Sequence, residues 1–133
     1  MLLEIDHRSG VPIYRQLMDQ VRQAVLTGRL GLGDQLPPVR DVAARLMINP
    51  MTVSKAYALL EAEGLLERRR GVGLFVARVE QERMERAKAG ALKDLLTKAA
   101  TAAVELGIPE EEAADLFADL YREYEARKGA NVK

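Results

Sequence analysis

The sequence predicts a mostly α-helical protein with one small β-hairpin, in which three short helices and the hairpin precede two longer helices. Three observations carry this. Apolar residues recur at three- and four-residue steps through most of the chain. Prolines and glycines punctuate those steps at helix-start and helix-stop positions. The clearest strand-like stretch is the pair of runs LLERR and LFVAR, joined by RGVG.

The first 11 residues read as an extended lead-in. Pro12 then opens a helix, because a proline in the first turn has no N–H to leave unpaired. Ile13, Leu17, Val21 and Val25 fall at steps of four, Met18 and Ala24 widen the stripe, and Gly28 stops it. The stretch GRLGLGDQLPP is a loop by composition. A short second helix follows Pro38, with Val39, Val42, Ala43 and Leu46 at i, i+3, i+4 and i+7. MINP breaks the pattern, and Pro50 opens a third helix with Asn49 as its N-cap. Val53, Tyr57 and Leu60 are its inward face and Gly64 its stop.

Two helices joined by a tight turn make a helix-turn-helix pattern. Thr52, Ser54, Lys55, Ala58 and Glu61 remain outward on the second of them. Near its N-terminus those side chains are small or cationic. Small residues let a helix backbone approach a groove floor, and Lys55, the two hydroxyls and the N-terminal amides can bond phosphates or base edges. On an isolated helix such a face would read as solvated surface. The hairpin behind it adds a wing, with Arg68, Arg69 and Arg70 expected at its tip beside Gly71. A wing of that kind reads as a phosphate clamp. GVGLFV is not a nucleotide loop: a third glycine is missing and no helix follows it directly.

Residues 79–106 form one long helical pattern: Met84, Ala87, Ala91, Leu95, Ala99, Ala102 and Leu106 recur, with Leu92, Leu96 and Ala103 beside them. LGIP is a turn, and Pro109 begins a last helix. Glu110, Glu111 and Glu112 in its first turn complement the positive helix N-terminus rather than bind a metal. Leu116, Phe117, Leu120, Tyr121 and Tyr124 complete a broad stripe. Two amphipathic helices in about 55 residues bury too little apolar surface by themselves. The expected division is therefore a DNA-binding domain over residues 1–78 and a helical dimerisation segment over 79–133. The expected interface is Leu92, Leu95, Leu96, Ala99, Ala103, Leu116, Phe117, Leu120, Tyr121 and Tyr124. The three aromatic residues are read as filling a dimer core rather than lining an effector pocket.

Composition narrows the function classes. The 133 residues carry a net charge of zero, yet residues 1–78 hold 11 Lys and Arg against 8 Asp and Glu, and the remainder reverses that excess. The front part is the better candidate for meeting a polyanion. There is no cysteine, which excludes disulfides and thiolate metal sites, and a reducing cytoplasm is expected. The single histidine, His7, leaves little room for acid–base or metal chemistry. No nucleophile–base pair, metal set or phosphate loop is visible, so neither an enzyme nor a cofactor is expected. No apolar run approaches the roughly 20 residues of a membrane span, and MLLEIDHRSG turns polar too soon for a secretory signal. The competing reading is a winged helix used for protein–protein contact, which predicts no salt-dependent affinity for DNA.

The stretch from residue 11 to 76, with PIYRQL, LPPVRDVAARL, NPMTVSKAY, EGLL and RRGVGLFV in unbroken order, resembles the N-terminal winged helix-turn-helix of GntR-type bacterial transcription regulators. The short two-helix remainder is similar to the YtrA-like branch. That resemblance implies a homodimer on a palindromic double-stranded operator, and in many members of the branch repression of operons for ABC-type transporters. With a single histidine, the histidine-based metal site of another branch is ruled out. By position, the resemblance implies DNA contacts at Arg40, Asn49, Pro50, Met51, Thr52, Ser54, Lys55, Arg69, Arg70 and Gly71. The branch often reads NPNTV; here Met51 replaces the second asparagine, which puts apolar contact where an amide could pair with adenine.

Overall fold

A computed structural model describes residues 2–131, with side chains described as far as Gly129. The elements run α1 (Ile13–Leu26), α2 (Val39–Leu46), α3 (Pro50–Ala62), β1 (Leu66–Arg69), β2 (Gly73–Val76), α4 (Gln81–Glu105) and α5 (Glu110–Asn131). The chain divides into two compact units, one reaching Ala87 and the other starting at Lys88.

The first unit has one apolar core. Leu17, Val21, Val53 and Leu60 are fully buried, so the stripes of α1 and α3 meet there. Val42 and Ala43 of α2 close it from the side. Burying one such leucine or valine stabilises by about 1.5–3 kcal/mol. Pro12 and Pro38 stand one position earlier than the first helical turn. Both have extended ψ angles, near 142° and 144°, and act as N-caps through their carbonyls. Asn49 is the N-cap of α3: its Oδ1 accepts from the Met51 N–H at 2.9 Å. Met47 ends α2 in the left-handed region at φ 57°, which turns the chain sharply into α3.

The lead-in is more than a connector. Leu3 is fully buried and Ile5 packs against the core. On the alternate residues, the Gln20 side-chain amide exchanges two hydrogen bonds with the backbone of Glu4 (2.9 and 2.6 Å). Gln16 does the same with Asp6 (2.9 and 2.9 Å). One turn apart on α1, the two amides mimic a strand edge. Arg45 of α2 adds a 2.8 Å bond to the Leu3 carbonyl.

β1 and β2 pair antiparallel, with Leu66 opposite Val76 and Arg69 opposite Gly73. The stretch expected to be only a loop also joins this sheet. Gln35 bridges to Phe75, and the Leu36 N–H donates to the Leu74 carbonyl at 2.8 Å. The wing is thus backed by the chain that leads into α2. Its inner face, Leu66, Leu74 and Val76, seals the core below α3.

In the second unit, which holds most of α4 and all of α5, the apolar side chains are not covered. Leu95, Leu120, Tyr121 and Tyr124 are all exposed, as are Leu92, Leu96, Leu116 and Phe117. Ala99 is exposed and Ala103 half-buried. The Phe117 and Tyr121 rings lie 6.1 Å apart, tilted by 41°. Among the described residues no helix is long and apolar enough to cross a membrane.

Candidate nucleic-acid interface

α3 turns Val53, Ala56, Tyr57 and Leu60 inward, which leaves Met51, Ser54, Lys55 and Ala58 on the opposite, exposed side. Thr52, expected to face outward, is half-buried, because it lies a quarter-turn round toward the core. Met51 lies at the centre of the outward face and is 75% exposed. Asn49 and Pro50 are exposed at the helix start. Since Asn49 Oδ1 already serves the cap, its amide nitrogen is the part left to donate to a ligand.

Tyr57 fixes this helix against α2. It is buried, and its hydroxyl donates to the Pro37 carbonyl at 2.8 Å. Burial pushes that hydroxyl up to about 12 from its ordinary 10. Pro37 lies three residues before Arg40, so this bond also sets the start of α2. Arg40 is exposed in the first turn of α2, with no ion pair or side-chain hydrogen bond among the described residues.

The three wing arginines do not share the tip. Strand alternation separates them, because β1 runs through Arg69 before the chain turns. Arg68 faces α3 and pairs with Glu61 at 3.2 Å. Arg69 lies on the other face, pairs with Glu67 at 3.2 Å and stacks over the Phe75 ring at 4.0 Å. Arg70 alone lies in the turn with Gly71 and Val72, exposed and without a carboxylate partner among the described residues. Gly71 has φ 77°, and a side chain there would meet only open space. Gln35 steadies this turn from below, donating from Nε2 to the Val72 carbonyl at 3.1 Å. Gly73 beside it has φ 141°, a backbone conformation that favours glycine, and a Cβ there would stand 2.9 Å from the same Gln35 nitrogen and push that side chain aside.

Lys55 is exposed on α3, and its Nζ sits 4.0 Å from the centroid of the Tyr14 ring. Sequence reasoning missed this contact between residues 41 positions apart, and no periodicity could have shown it. It also missed the Arg69–Glu67 pair, for which a signal existed: residues two apart on a strand share a face.

Residues 13–76 match the family of bacterial regulatory proteins named gntR. The transcriptional repressor YtrA of Bacillus subtilis is 37% identical over 123 residues, covering 90% of this chain and 95% of the relative. This chain belongs to the GntR family. It is a transcriptional regulator of the YtrA type with a winged-helix DNA-binding domain, and the family and these relatives are regulators, not enzymes. A GntR family transcriptional regulator from Listeria monocytogenes has the same fold, at a TM-score of 0.75 and 29% identity, over 86% of this chain and 98% of its own. YtrA from Sulfolobus acidocaldarius, a GntR-family transcription factor, aligns over 90% of this chain and 97% of its own at a TM-score of 0.53 and 28% identity. The likeness to both the Bacillus and Sulfolobus proteins runs past the winged helix into the two long helices, which accords with the short branch rather than those with large appended domains.

Proposed function

We propose that this GntR-family regulator is a homodimeric repressor that binds a palindromic operator in the cytoplasm. The observation that carries the reading is the outward face of α3, with Met51, Ser54, Lys55 and Ala58 exposed beside a wing whose Arg70 and Gly71 are open. A helix face of small and cationic residues suits the major groove, and an arginine–glycine turn suits the flanking sugar–phosphate wall. In this reading Asn49, Pro50, Met51, Thr52, Ser54 and Lys55 line the groove, Arg40 fixes register, and Arg69, Arg70 and Gly71 hold the flank.

The uncovered stripe of α4 and α5 supports a second copy as the partner. Exposed apolar patches of this extent are characteristic of interfaces, and two-fold symmetry would present two α3 helices to two half-sites. Repression follows the Bacillus relative, which is a repressor. An operon for an ABC-type transporter is the first target to examine, as in the branch the chain resembles.

The test is selection of bound fragments from the host genome, followed by affinity measurement at two salt concentrations. The expected result is a palindromic site bound with a Kd of about 10⁻⁸ M or tighter, weakening steeply with salt. Arg40→Ala should cost more than about 1 kcal/mol on that site. Weak, sequence-indifferent binding would overturn the reading in favour of a protein-contact module.

A further inference from the structure

Three cations of this surface, Arg68, Arg69 and Lys55, are held in place, and not all in the same way. Arg68 and Arg69 are each paired with a carboxylate, Glu61 and Glu67. Those pairs order the guanidinium groups but also neutralise them. Lys55 is held by an uncharged group instead, the face of Tyr14 at 4.0 Å, and has no carboxylate partner among the described residues. Tyr14 is the second residue of α1, half-buried and packed against the core, so its ring is a fixed platform. A ring quadrupole attracts an ammonium without cancelling its charge. A free lysine, by contrast, has a flexible four-carbon stem and loses much rotamer freedom when a ligand fixes it.

We propose that Tyr14 is a positioning residue for DNA recognition: it pre-orders Lys55 on the outward face of α3 while leaving its full charge for a phosphate or a guanine edge. This rests on the reading of α3 as the helix that enters the groove. Tyr14 itself need not touch DNA. Because the platform belongs to α1 and the lysine to α3, the packing of those two helices sets where the charge stands.

Two measurements on the full-length protein test this. The first needs no DNA. The Lys55 ε-methylene protons should resonate upfield, shifted by the Tyr14 ring current, in the wild type and in Tyr14→Phe, and should return to ordinary values in Tyr14→Leu. An unshifted signal in the wild type overturns the proposal without recourse to any variant.

The second uses the tightest fragment from the genomic selection. Tyr14→Leu, if its melting curve remains cooperative, should bind about three- to tenfold more weakly, the scale of a cation–π contact. Tyr14→Phe should bind within twofold of the wild type. In a Lys55→Met background, Tyr14→Leu should cost nothing more. Unchanged or tighter binding by Tyr14→Leu, or an equal loss in the Lys55→Met background, overturns the proposal. If Lys55→Met itself has no effect, the reading of α3 fails at this residue and the positioning role falls with it. The ring-current shift then still reports whether the contact exists, which separates the two failures.

Discussion

The hydroxyl of Tyr57 donates a 2.8 Å hydrogen bond to the carbonyl of Pro37, tying the middle of α3 to the proline pair that opens α2. Tyr57→Phe keeps the ring and leaves that half-buried carbonyl without its donor. The expected cost is about 1–2 kcal/mol of unfolding free energy at neutral pH. The same residue gives a pH dependence. Its folded-state value is raised to about 12 by burial, above the unfolded value of 10. The native state therefore holds this proton more tightly. The associated stability is fully present below pH 10 and is lost as pH rises through 12. Between those limits the stability gap between the wild type and Tyr57→Phe should shrink toward zero and can reverse, the change being at most about 2–3 kcal/mol. Denaturant titrations of both proteins across pH 9–12 check it, and a constant gap would contradict it.

The wing arginines should differ in a defined order. Arg70 is exposed in the turn with its charge uncompensated, whereas Arg68 is engaged with Glu61. Arg70→Ala should weaken operator and non-operator DNA alike and lower the salt slope by about one. Arg68→Ala should change the slope by less. Equal effects would mean that the ion pair with Glu61 does not persist in solution, as many exposed pairs do not.

The apolar stripe of the long helices can be tested without DNA. Leu95 is 64% exposed and Leu120 is 52% exposed within one chain. If a second copy covers them, the wild type should sediment as a dimer and melt at a temperature that rises with protein concentration. Leu95→Asp with Leu120→Asp should sediment as a monomer at micromolar concentration, since each leucine buried at an interface is worth about 1.5–3 kcal/mol. A wild type that is monomeric at that concentration would remove the dimer from the proposed function.

These outcomes bear on what a sequence can disclose. α1, α3 and the long helices were legible because each carries an apolar stripe at helical spacing, and Asn49–Pro50 is a local signal read within three residues. The wing was legible as two strand-like runs around a glycine turn. What escaped depends on contacts between distant residues. Gln16 and Gln20 look like ordinary solvated positions until the lead-in lies across them. Gln35 lies in a glycine-rich stretch with no strand pattern, yet it bridges to Phe75, because backbone pairing there asks little of the side chains. The tip arginines were misjudged for a different reason: Arg68 and Arg69 belong to the strand that precedes the turn, and alternation sends them to opposite faces.

Met51 offers the sharpest test of specificity. It is 75% exposed at the second position of α3, on the outward face, and nothing in the fold requires a methionine there. Its thioether chain can make apolar contact, as with a thymine methyl, but cannot form the paired hydrogen bonds that an asparagine amide makes to adenine. Met51→Asn should therefore leave the melting temperature nearly unchanged, because an exposed substitution in a first helical turn perturbs little. Its effect should fall on one base pair in each half-site, shifting preference toward adenine by about 1–3 kcal/mol. Competition binding with operators randomised at each position, for the wild type and the variant in parallel, reads this directly. A uniform change across all positions would place Met51 against the backbone rather than a base, and no change would place it outside the interface.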